Sequence, residues 1–453
     1  MNRSHTSPTT VAPDPEAGIS ASAASTASIS SIATALIAAV AVMGLSAPMT
    51  ASAQAEGTVT CGVEREVDAG MLSEPIYRRL NDIFEKFGEE LFTEAYNDLN
   101  DMRDRRLADY ERASVEQAMG FAAAQQEDFR RAIGHFEEAI RVNAMPNDQH
   151  FEMILQIAQL YNAIEQYDQA LEQLDLWFCV STEDAKKQAS VWLLKANLHM
   201  QRDEFRMALE SIDTAIELRE DPPESWYRVK LGMHMELEEW RPATDVLKIL
   251  IQMNPDRKAY WIQLSGSYIE LGDDAEAMAA LRLAWRRGLL DRGSEYVQLA
   301  GLLQQMDSPR QAAEVLEDGL NKGLVEATSQ NWEMTAGAWY EAREMENALA
   351  AYDRAGELSD SGKIDFQRAS ILTNREEWPE ALAAATRALE KGDLTESQRG
   401  NANILAGMAH FNMGNYDAAE QAFNRAADYG RLRQAAQEWI NHINQTRQNS
   451  VGQ

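Results

Sequence analysis

Histidine, cysteine and closely spaced carboxylates are the side chains that most readily bind metals, exchange electrons or carry protons. The chain has seven histidines and two cysteines among 453 residues. His199 and His234 fall at similar points of successive segments, which would suit a metal pair. No Cys, His or Asp cluster supports them, so packing or groove-lining imidazoles are expected and no metal is assigned. Glu89-Glu90 and Glu376-Glu377 could in principle divide acid and base roles. They fall on polar faces or turns, where solvated charge is the expected reading. There is no glycine-rich phosphate loop, no H-E-x-x-H, no C-x-x-C and no G-x-S-x-G. The ten tryptophans recur mostly at core-type positions, not as a sugar or cofactor box. No catalytic residue and no cofactor are assigned, and the chain is expected not to be an enzyme.

The cysteines, Cys61 and Cys179, leave two readings open. They form one disulfide, or Cys179, near a helix end, is a small buried apolar side chain. Sequence does not show whether their Cα atoms come within the roughly 7 Å that a bridge requires.

The elements that position these residues share one grammar. A first helix carries an aromatic, a small residue four later and an aromatic three after that. A turn follows, then an Ala, an apolar residue four later and an Ala three beyond. Trp261, Ser265, Tyr268, Gly272, Ala277, Leu281 and Ala284 spell it in full, and Trp332, Ala336, Trp339, Ala348, Tyr352 and Ala355 repeat it. The alanine opening each second helix serves as an anchor: Ala132, Ala170, Ala208, Ala243, Ala277, Ala312, Ala348, Ala381 and Ala419. Successive spacings are 38, 38, 35, 34, 35, 36, 33 and 38. They cluster just above the period of about 34 that marks tetratricopeptide repeats. The expected fold is all-α, a right-handed superhelical solenoid of about nine helix-turn-helix repeats with a C-terminal capping helix. Residues 111–430 form the repeats and residues 54–110 an N-terminal helical segment, in which Pro75 to about Tyr110, off the grammar, is expected to form a degenerate hairpin that starts the stack. Residues 431–453 give the capping helix and tail, with Ala436, Trp439, Ile440 and Ile443 on one face.

The formal net charge is −30, which disfavours nucleic acid and anionic membrane surfaces and favours basic partners. Residues 29–45 are free of charge, and Ala51-Ser52-Ala53 follows as a small-x-small cleavage pattern. A signal peptide over residues 1–53 is therefore expected, with export to the periplasm. A start downstream of Met1, or retention of the leader as an anchor, are the alternatives. The apolar run is short for a span of about 20 residues.

With no site for chemistry, function is expected on the surface. In a stack of this kind the first helices line a groove. Counting from the anchors places Asn162, Asn197, Met200, Met235, Glu236, Glu270, Tyr340, Glu341, Asn374 and Asn412 on that face. Asn and Glu suit an extended backbone or basic side chains, and Met adapts to varied apolar shapes. A clamp for C-terminal carboxylates needs Lys and Asn one turn apart. Asn197 has Leu193 there and Asn162 has Ala158, which argues against one.

Several strings are more specific than the repeat consensus: Cys61-Gly62-Val63-Glu64, Glu224-Ser225-Trp226-Tyr227, residues 260–268, Arg287-Gly288-Leu289-Leu290 and residues 433–439. Through them the chain resembles exported tetratricopeptide proteins associated with TonB–ExbB–ExbD systems of Gram-negative bacteria. The resemblance implies a periplasmic accessory of energy transduction and iron uptake, with a basic partner of TonB, ExbB or ExbD type. The other scaffold reading is general cell-envelope assembly, serving outer-membrane, polysaccharide or cell-wall machinery. An enzyme site hidden between Cys61 and Tyr110 would need clustered polar chemistry. That stretch offers only Asp, Glu and Arg at helical spacing.

Overall fold

Helix-favouring composition and apolar spacings of three and four residues give helices with one buried stripe each. The structure, a computed structural model, describes Cys61, Arg65, Val67 and residues 70–451. The leader expected over residues 1–53 lies outside the described residues. Those residues form α-helices, one short 3-10 turn and no strand. They divide into two compact units, one ending at Leu237 and the other starting at Glu238.

In the first unit α1 (Glu74–Gly88) pairs with α2 (Phe92–Arg103), and α3 (Asp109–Gln125) with α4 (Phe129–Val142). Then α5 (Asn147–Ala163) pairs with α6 (Tyr167–Val180) and α7 (Ala189–Met200) with α8 (Phe205–Glu217), and α9 (Glu224–Glu236) follows. The second unit opens on α10 (Trp240–Met253). There α11 (Lys258–Glu270) pairs with α12 (Asp274–Arg286), and α13 (Gly293–Gln305) with α14 (Pro309–Asn321). Next α15 (Ser329–Glu341) pairs with α16 (Met345–Glu357) and α17 (Lys363–Asn374) with α18 (Trp378–Lys391). Last, α19 (Glu396–Asn412) pairs with α20 (Tyr416–Ala427), and α21 (Arg433–Val451) closes the chain.

Every anchor alanine is the fourth residue of a second helix and is fully buried. Five residues before each anchor the backbone turns left-handed, at Glu127, Glu165, Asp203, Glu238, Gly272, Asp307, Arg343, Glu376 and Gly414. Within each unit this one residue reverses the chain between paired helices.

The same signature extends one hairpin further than the nine anchors, into the degenerate hairpin expected before them. Glu90 has φ 60°, and Ala95, five residues on, is buried at the fourth position of α2. Residues 74–103 are the hairpin expected to start the stack, and it keeps the register of the repeats. Their first helix hides this, because Arg79 stands at the aromatic position and Ile83 at the small one.

Small residues let paired helices touch. A Cβ on Gly120 would lie 2.7 Å from the Phe136 ring, and one on Gly407 would lie 2.7 Å from Phe423. Ser265 Oγ donates to the carbonyl of its anchor, Ala277, at 3.0 Å. Large residues at the aromatic position find a partner for their polar edge. Trp192 Nε1 donates to the carbonyl of Lys186 and Trp261 Nε1 to that of Pro255, each six residues upstream. Three units put a polar residue there instead, each answered by a cation or imidazole. Glu116 meets Arg103 at 3.0 Å and His135 at 2.7 Å. Asp365 meets Arg387 at 3.1 Å and Lys391 at 2.8 Å, and Asn403 accepts from Arg425.

The last helix buries Ala436, Ile440 and Ile443, and Trp439 stacks on Phe423 with ring centroids 5.3 Å apart. It runs to Val451, and Arg447 pairs with Asp417 and Glu420 of α20. None of the described helices is long and apolar enough to cross a membrane.

Candidate protein-binding face

The ten groove candidates fall on three register positions of first helices: eleven, eight or seven residues before the anchor. Asn197 holds the first. Asn162, Met200, Met235 and Tyr340 hold the second. Glu236, Glu270, Glu341, Asn374 and Asn412 hold the third.

In the first unit Glu236 is exposed, while Asn162, Asn197, Met200 and Met235 are half-buried. Met200 packs against the Ala208, Leu209 and Ile212 core, so part of its surface serves the fold. In the second unit Glu270, Tyr340, Glu341, Asn374 and Asn412 are all exposed. Tyr340 is 46% exposed, large for an aromatic ring. Asn412 Nδ2 donates to the carbonyl of Met408 in its own helix, leaving its oxygen outward.

The reading from sequence missed the floor between these side chains. Gly266, Gly301 and Gly337 each lie eleven residues before an anchor, the position Asn197 occupies in the first unit. A Cβ at any of the three would meet nothing within 4 Å. Their helical backbone is bare, and no neighbouring side chain requires a glycine. Ile269, exposed at the second register position, was also missed. The signal was present in the arithmetic, since glycine recurs there at spacings of 35 and 36.

The chemistry-bearing residues resolve as turn and packing elements. His199 is buried and its Nδ1 lies 2.7 Å from Glu204 Oε2, a contact that holds the Glu204 carboxyl below its usual range. His234 is likewise buried, and no cluster of His, Cys, Asp or Glu among the described residues could hold a metal. Glu90 and Glu376 are the left-handed turn residues of their hairpins, and Glu377 pairs with Arg375.

Cys61 and Cys179 are bridged, their Cα atoms 5.5 Å apart. Cys179, near the end of α6, is half-buried and Cys61 is exposed. Downstream of the bridge, Gly70 lies so close to Tyr110 that a Cβ would come within 2.3 Å of that side chain. The Ser73 amide and hydroxyl both donate to Glu111 Oε1, which fixes the entry into α1.

Comparison with known families now has a geometry to meet. Residues 366–439 match the tetratricopeptide repeat family. The fold is a tetratricopeptide-repeat solenoid. Among solved structures, a tetratricopeptide repeat protein from Parabacteroides merdae is similar at 12% identity and TM-score 0.35, covering 61% of this chain and 100% of that one. MamA from Desulfovibrio magneticus RS-1 matches at 16% identity and TM-score 0.34, over 41% of this chain and 99% of that one. The TPR2AB-domain:pHSP90 complex of yeast Sti1 matches at 15% identity and TM-score 0.29, over 56% and 98%. Likeness at this level carries no functional argument. No curated protein matches the sequence. Tetratricopeptide stacks are generally protein-interaction scaffolds rather than catalysts, and this one presents polar, acidic and aromatic side chains over a bare helical floor.

Proposed function

We propose that this solenoid is an exported protein-binding scaffold that holds a basic partner of TonB, ExbB or ExbD type. The observation that carries the reading is the in-register presentation of Glu270, Tyr340, Glu341, Asn374 and Asn412 on exposed first-helix ends. Carboxylates and an exposed ring suit cationic side chains, and Asn suits an extended backbone. The net charge of −30 would speed encounter with such a partner, and the charge-free run over residues 29–45 supports export. The resemblance to exported proteins of TonB–ExbB–ExbD systems supplies the partner class.

Affinity capture from a periplasmic extract at low and high salt tests the reading. Recovery of a TonB, ExbB or ExbD protein at low salt, weakened at high salt, is the expected result. Glu270→Lys with Glu341→Lys should lower recovery without altering helicity. Failure to recover any of the three at low salt would end this assignment.

A further inference from the structure

In the first unit Arg65 of the N-terminal segment meets the end of α4 and the start of α5. Arg65 Nε donates to Asn143 Oδ1 at 2.6 Å, and a terminal Arg65 nitrogen donates to Asn147 Oδ1 at 2.8 Å. Asn147 Nδ2 returns a bond to the Arg65 carbonyl at 3.2 Å. Among the described residues no carboxylate pairs with this guanidinium, and its other terminal nitrogen is buried without a partner. Burial lowers Arg65 to about 10.

Next to it lies His150, in the first turn of α5. It is fully buried, and neither ring nitrogen finds a partner among the described residues. Burial, and then the Arg65 charge, push the imidazole down to about 3. A half-buried guanidinium and a neutral imidazole thus share one seat, and among the described residues no counter-charge meets them, an arrangement that is costly to form. Two Asn contacts favour it. So does the covalent tie four residues upstream, where Cys61 is bound to Cys179.

We propose that the Cys61–Cys179 disulfide is a redox latch that keeps Arg65 seated against His150, and that its reduction exposes the imidazole. The reductant is a dithiol. One of its thiolates attacks a sulfur of the bridge and forms a mixed disulfide. Its second thiol then closes the reductant into its own disulfide, leaving both cysteines as thiols with two electrons and two protons gained. Exposed Cys61 gives the reductant access. Release stops at Ser73, because Glu111 holds that residue independently, so α1 stays in place.

The test is carbethoxylation of histidines by diethyl pyrocarbonate on the full chain, read by peptide mass spectrometry, with and without dithiothreitol. His150 labelling is expected to rise by at least roughly tenfold on reduction, as local opening would allow. His199 and His234, buried elsewhere in the same unit, should stay protected, and helicity should be unchanged. The paired variant Cys61→Ser with Cys179→Ser should reproduce the reduced pattern without a reductant. Unchanged His150 labelling in the fully reduced chain would refute the latch. An equal rise at all three histidines would refute it too, because the bridge would then be a staple of the whole unit.

Discussion

At the scale of the residue, the informative positions are those where a polar group occupies a place built for an aromatic ring. Asp365 is fully buried and neutralises Arg387 and Lys391. Gly356 makes the room, since a Cβ there would lie 3.0 Å from the Asp365 carboxylate. Asp365→Ala leaves Lys391 with only the Gly356 carbonyl and Arg387 with only Asp353 as a partner in a half-buried pocket. A loss of about 3 kcal/mol is expected from denaturant unfolding, typical of breaking one side of a buried ion pair. His150 gives a second prediction, in pH. Its folded value, about 3, lies below the ordinary 6.5, so its contribution is fully present above 6.5 and is lost as pH falls toward 3. Stability of the first unit should decline by about 1.4 kcal/mol per pH unit across that window from this group alone. His150→Leu should remove that share of the slope in a chemical-denaturation series. Neither residue's role was legible in sequence. Asp365 breaks the grammar without announcing its partners, and His150 is one of seven scattered histidines.

At the scale of the element, two kinds of helical glycine separate cleanly. Gly120 and Gly407 face a ring at 2.7 Å, whereas Gly266, Gly301 and Gly337 face open space. Gly407→Ala should therefore destabilise by about 1–3 kcal/mol through overpacking against Phe423. Gly301→Ala should stabilise by about 0.5–1 kcal/mol, because mid-helix glycine is costly relative to alanine. Thermal melts of the two variants should move in opposite directions. If the bare floor is where a partner's backbone rests, Gly301→Leu should keep the melt and lose capture. The helices themselves were largely legible. Anchor spacing located every second helix from Ala132 onward, because a fourth-position alanine is demanded by close approach rather than by chance propensity. The first hairpin was legible only as a degenerate one and its register was not, because Ile83 replaces the small residue and Arg79 the aromatic one. Its turn, Glu90 followed five residues later by Ala95, was the overlooked signal.

At the scale of the whole molecule, neighbouring hairpins within each unit touch, so most contacts there are local and the stability of each unit is nearly a sum of adjacent terms. The N-terminal segment is an exception: its Cys61–Cys179 bridge closes a loop of 118 residues in the first unit, and Arg65 reaches Asn143 and Asn147. On the chain-entropy account a loop that long contributes about 4–5 kcal/mol. Its pairing was undecidable from sequence, since no spacing rule brings a residue before the first hairpin beside the end of α6. The acidity was legible from the start, but its purpose is not written in any one element. The carboxylates are spread over turns, ion pairs and exposed helix ends alike.

Eight of the ten left-handed turn residues are not glycine, namely Glu90, Glu127, Glu165, Asp203, Glu238, Asp307, Arg343 and Glu376. Each L-residue there holds a conformation that costs roughly 1–2 kcal/mol. None of these side chains is buried, so replacement by Asn or Gly disturbs no core. The molecule thus contains a row of independent trimming screws, one per hairpin. Turning them one at a time would grade the durability of the array in small steps while leaving its recognition surface untouched.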